Sequence, residues 1–305
     1  MKRTASLLLV ATAALGLAGL LAPAHADVAT TQVAATRPAE TKYPSDELVS
    51  ACRAAAEAIE AKLDESFHVA VKPPFVVAGN LPAGQVNRLA EMSVVGPAKA
   101  MWKSYFDKKP DKVVTVLLFA DDGSYRSWAR RLFQDEDLPH FGYYRGADRT
   151  LVMNIATGTG TLVHELTHAL IAYDFPGVPV WFNEGLASLH EQCRVEADGI
   201  VGLTNWRLRG LQEALKAGKN RPLRELLTRD DFYGAMQGLN YAQARYFVMY
   251  MQQRDVLRAF YRQFRAHHRA DRSGVSDVEA VFGRKLEAVE KDLLVWLKTL
   301  RFPER

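Results

Sequence analysis

Apolar residues are distributed along this chain in distinct regimes. From Leu7 to Leu21 they run almost unbroken behind Lys2 and Arg3, and Ala24-His25-Ala26 follows with the small residues a signal peptidase reads. Residues 1–26 are therefore expected to be a cleaved secretory signal, the apolar run being short for a membrane span. Residues 27–44, rich in Ala and Thr, have neither helical nor alternating periodicity and are expected to be a flexible lead-in. Folding is predicted to begin at Ser45, which can cap a helix running to about Leu63 with Leu48, Cys52, Ala55, Ile59 and Leu63 along one face.

Strand-like runs follow at Phe67–Val71, Phe75–Val77 and Val113–Phe119, interleaved with helical patterns at Gln85–Phe106 and Tyr125–Phe133. Tyr143–Tyr144 and Leu151–Ile155 resemble a hairpin pair around Gly146-Ala147-Asp148. From Thr159 onward the spacing predicts helices at about 160–173, 182–196, 206–217, 241–264 and 284–300. The expected class is α+β: one domain over 45–305, in which residues 45–175 form a small mixed α/β lobe and residues 176–305 an all-helical lobe.

The composition, 48% hydrophobic and 10% aromatic over 305 residues, is that of a globular protein with a packed core. Loss of Lys2 and Arg3 with the signal lowers the formal charge from +4 to +2, too balanced for a nucleic-acid partner. No later segment is apolar enough for stable membrane insertion. Arg254, Arg258, Arg262 and Arg265 recur at helical spacing and read as a solvated face. Cys52 and Cys193 are the only cysteines, and an oxidising compartment allows either one disulfide or two thiols.

The chemistry concentrates in "TLVHELTHAL", Thr161 to Leu170. On a helix His164 and His168 project from one face a turn apart, close enough to share one metal ion, with Glu165 at the neighbouring edge. A catalytic zinc site needs a third protein ligand and an open fourth position. Glu184, early in the next predicted helix, supplies it across the short connection containing Pro176-Gly177 and Pro179. The rival is Asp174, which would need a sharp turn at position 171, where β-branched Ile favours continued helix.

"HELTH" followed by "WFNEGLASLHE" resembles the gluzincin metallopeptidases, closest to the peptidase MA-like and aminopeptidase N branch. The resemblance implies a thermolysin-like catalytic fold with the zinc cleft between its lobes. It implies His164, His168 and Glu184 as ligands of one Zn2+ and Glu165 as general base. Glu191 matches an acidic position in the family that could orient His164 or His168, and Tyr241 matches a Tyr that stabilises the oxyanion. The strand Leu151, Val152, Met153 and Asn154 is the expected edge along which substrate backbone pairs. It carries no glutamate of the kind that holds a free amine in the aminopeptidases, so internal bonds of a peptide or protein substrate are expected.

The resulting expectation is a secreted or periplasmic zinc metallopeptidase, an endopeptidase in preference to an exopeptidase. An amidase acting on cell-wall peptide would use the same residues. A non-catalytic envelope-binding protein braced by zinc fits less well, because structural zinc sites are closed by four protein ligands.

Overall fold

Period-two alternation sorts the central strands between two hydrophobic layers. The computed structural model describes residues 42–302 apart from residue 137; the signal and most of the lead-in expected from sequence lie outside them. In β3 (Val114–Phe119), Val114, Val116 and Leu118 join the main core, while Leu117 and Phe119 pack on the opposite face. β5 (Thr150–Asn154) repeats this, with Leu151 and Met153 on one side and Val152 on the other. β2 (Phe75–Gly79) and β3 are buried on both faces, as parallel strands covered by helices must be.

The sheet order is β1-β2-β3-β5-β4, with β1 (His68–Lys72) and β4 (Gly142–Arg145) antiparallel to their neighbours and the inner pairs parallel. β5 is therefore an interior strand, hydrogen-bonded on both sides; the edge strands are β1 and, next to β5, β4. This corrects the expectation that Leu151–Asn154 offers a free edge: its backbone groups are already paired and Leu151, Val152 and Met153 are core residues. On one face pack α1 (Asp46–Glu60), capped by Ser45, and α4 (Asp122–Phe133), whose start is fixed by an Asp121/Ser124 capping box. The other face carries α2 (Ala83–Leu89) and α3 (Gly96–Ser104), joined by a π-helical turn at Ala90–Val95, and α5 (Gly160–Asp174).

α6 (Val180–His190) follows α5 after a short turn and packs closely on α9 (Gln237–Gln253). The approach requires Gly185, where a Cβ would meet Val248 Cγ2 at 2.9 Å and the Ala244 carbonyl oxygen at 3.0 Å. The second half is not all-helical as expected. The helix predicted to reach residue 196 ends at His190, and a hairpin of β6 (Cys193–Glu196) and β7 (Gly199–Gly202) follows. The remaining helices are α7 (Arg207–Lys216), α8 (Leu223–Thr228), α10 (Leu257–His267), α11 (Val275–Phe282) and α12 (Leu286–Thr299). The single helix predicted over 241–264 is broken between α9 and α10, where Asp255 adopts a positive φ of 56°.

Among the described residues no helix is long and apolar enough to cross a membrane. Cys52 and Cys193 are free thiols, the first buried against Leu48, Ala56 and Val76, the second beside the main core, so the disulfide alternative does not hold in the structure.

Candidate metal centre

α5 is buried on nearly all sides, so its polar residues must be satisfied inside the protein. His164 and His168, one turn apart, bring their Nε2 atoms within 3.0 Å of each other. α6 supplies Glu184, whose Oε2 lies 3.4 Å from each of those nitrogens. The three donor atoms form a triangle with sides of 3.0, 3.4 and 3.4 Å. Tetrahedral bonds of about 2.0–2.1 Å would separate ligand atoms by about 3.3 Å. These residues are the one group among those described whose side chains are placed to hold a metal ion together.

The surrounding hydrogen bonds aim these atoms inward. His168 Nδ1 lies 2.9 Å from Asn183 Oδ1, an acceptor, so that nitrogen carries the proton and Nε2 presents its lone pair to the site. His164 Nδ1 faces Glu191 Oε1 at 3.4 Å. Glu184 Oε1 accepts from the Tyr233 hydroxyl at 2.6 Å, whereas its Oε2 is buried without any hydrogen-bond partner. A buried, unsatisfied carboxylate oxygen facing two imidazole nitrogens is costly unless a cation joins them. The residues therefore fit a metal ion.

The electrostatics show that the two carboxylates draw positive charge into the site. Burial disfavours a charged His164, but the facing carboxylates of Glu184 and Glu191, each 3.4 Å away, outweigh it and lift its pKa to about 10. Burial would raise Glu184, yet the facing imidazoles of His164 and His168, 3.4 Å away, hold it well below the usual carboxylate range. Burial likewise opposes ionisation of Glu191, but its bonds to His164 and Arg207 bring it to about 2. Glu165 behaves differently: burial pushes its carboxyl up, against the attraction of both histidines.

The helix that carries Glu165 packs against the edge strand β4. The Asn154 N–H donates to the Phe141 carbonyl at 3.0 Å, and antiparallel alternation then pairs Tyr143 with Val152 and Arg145 with Thr150. The backbone groups of Gly142 and Tyr144 consequently point away from β5, toward the free edge. The Tyr144 side chain packs with the main core and that of Tyr143 with the opposite cluster.

Tyr241, on α9, has its ring 6.5 Å from that of His164 and packs edge-on against Phe232. Asp174, the rival ligand, ends α5 away from this cluster. It accepts from the Asp107 and Lys108 backbone N–H groups at 2.9 and 2.7 Å, from Tyr261 at 2.7 Å, and pairs with Arg265. His190 is fully buried against Thr167 at 3.0 Å and is not a ligand. An open hollow of about 660 Å³, lined by Leu138, Tyr143 and Arg145 among others, holds none of the candidate ligands.

Sequence reasoning missed Tyr233, Asn183, Asn205 and Arg207. Asn183 could have been found, since it immediately precedes Glu184 and points along the same helix turn toward α5. No protein-family model matches the chain, and no curated protein matches it.

Proposed function

We propose that this chain is a zinc-dependent hydrolase of peptide bonds, of gluzincin type with a thermolysin-like arrangement of its catalytic helices. In this reading it is exported from the cytoplasm, is secreted or periplasmic, and acts on peptide or protein substrates. The observation that carries the reading is the triangle of His164, His168 and Glu184 with a half-buried Glu165 beside it, on a helix packed against the edge strand. Two imidazoles and one carboxylate suit zinc, and three protein ligands leave a position open for chemistry, whereas a structural brace would have four.

A zinc ion held there would supply Lewis acidity, bringing the pKa of a coordinated water toward neutrality and polarising a carbonyl. Glu165 accepts the proton of the attacking water and returns it to the leaving nitrogen, and burial, which raises its pKa, favours that second transfer. Tyr233 donates its hydroxyl proton to Glu184, while burial raises the pKa of Tyr241, so that hydroxyl stays protonated and able to donate to a developing oxyanion. An extended substrate can pair with the outward groups of Gly142 and Tyr144 on β4. The strand "GYYR" carries no carboxylate to hold a free amine, which favours internal bonds.

Metal analysis of the purified mature chain, followed by digestion of a proteome-derived peptide library with and without chelator, tests this reading. One zinc per chain and chelator-sensitive cleavage within peptides are expected. A chain that binds no zinc, or a zinc-loaded chain that leaves every peptide intact, would overturn it.

A further inference from the structure

Glu191 caps the C-terminal end of α6, and the chain leaves it through the β6–β7 hairpin. The hairpin returns the chain so that residues 14 and 16 positions further on meet the same carboxylate. Asn205 Nδ2 donates to Oε2 at 2.9 Å, while Arg207 Nε donates to Oε2 at 3.0 Å and Nη2 to Oε1 at 2.7 Å. Such a two-pronged guanidinium contact fixes both oxygens and the plane of the carboxylate.

The clamp is itself held. The Arg207 guanidinium lies 4.2 Å from the centre of the Trp206 ring and 5.3 Å from that of Tyr241. Asn205 is buried; its Oδ1 accepts from the Arg207 backbone N–H at 3.1 Å, which turns its amide nitrogen toward Glu191. The hairpin is anchored on α9 by reciprocal bonds between Gln252 and Gly202 at 2.8 and 2.9 Å, and on α3 by the bond from Ile200 N–H to Ser104 Oγ at 3.0 Å. On its other side Glu191 Oε1 lies 3.4 Å from His164 Nδ1, a buried nitrogen without a hydrogen-bond partner.

We propose that Arg207, supported by Asn205, is a positioning residue for the metal centre. By pinning Glu191 it fixes the ring plane of His164 and keeps the proton on Nδ1, so that Nε2 presents its lone pair to the ion. It touches neither metal nor substrate. Losses of such outer partners lower metal affinity by about 10–100-fold. The inference rests on the metal reading of the site and not on the reaction.

The test is the affinity of the mature chain for Zn2+ alone, measured by competition with a chromophoric chelator. Arg207→Gln is expected to weaken zinc binding at least tenfold, with stoichiometry near one and the unfolding midpoint of the zinc-free protein little changed. Glu191→Gln is expected to weaken it similarly, and adding Arg207→Gln to that variant should change affinity less than twofold, because the guanidinium acts through the carboxylate. Arg207→Lys, which keeps the charge and the apolar stem, should fall between wild type and Arg207→Gln, and serves as the measured variant if the glutamine protein does not fold. Unchanged affinity in the Arg207 variants, or a full-sized loss persisting in the Glu191→Gln background, would overturn the clamp. Absence of zinc binding by the wild-type chain would instead end the metal reading itself.

Discussion

His164, His168 and Glu184 were legible because local helix geometry carries nearly all the information: a spacing of four residues aligns two imidazoles, and a short turn delivers the third group. Tyr233 and Arg207 were not, since each reaches the site from a segment whose path is set by tertiary packing. His190, one position before Glu191, illustrates a different residue-scale effect. Burial and the nearby positive charges of Arg245 and His164 lower its pKa to about 3, from an ordinary 6.5, so it stays neutral while folded. Below pH 6.5 the unfolded chain takes up a proton there that the native chain does not, so native stability falls as pH drops from about 6.5 toward 3. The limiting slope from this one group is about 1.4 kcal/mol per pH unit. His190→Gln should flatten the difference in denaturant stability over that window relative to wild type. Parallel acid limbs in the two proteins would rule out the neutral buried imidazole.

At the scale of elements, most helices and strands followed from periodicity, and the errors have identifiable causes. Strand order is not encoded in any local pattern, yet "TLVMN" lacks polar alternation, and its five residues are all buried, as an interior strand should be. The β6–β7 hairpin was absorbed into a predicted helix because Cys193, four residues after Leu189, continues the apolar spacing of α6, while the Asp198-Gly199 turn signal went unused. α8 and α11 are short and were hidden among polar punctuation. The element contact with the greatest bearing on the site is that between α6 and α9. Gly185→Ala should gain helix propensity but drive a methyl group into the Ala244 carbonyl and Val248, displacing the turn that carries Glu184. A net destabilisation of about 1–3 kcal/mol by urea titration is expected, together with weaker zinc binding. Unaltered stability would mean that the two helices separate more easily than their packing implies.

For the whole molecule, the α+β class was legible from the succession of strand and helix patterns, and the mixed sheet with helices on both faces bears it out. The metal triangle joins α5 to α6, so an ion bound to the native state alone must stabilise the entire unit. Zinc at about a hundred times its dissociation constant should add about 2.7 kcal/mol, and chelator should reverse the gain. Melting temperatures identical with zinc and with chelator would contradict a native metal centre.

The central claim is that Glu165 moves protons at this centre, and kinetic comparison of wild type with Glu165→Gln tests it most directly. The amide keeps the size and reach of the side chain but cannot take a proton from the attacking water. Zinc content should stay near one per chain. Turnover of a cleaved library peptide should fall by about 100 to 10,000-fold, roughly 3–5 kcal/mol in the barrier, with the melting temperature little altered. Unchanged cleavage by the metal-replete variant, with contaminating protease excluded, would contradict the account.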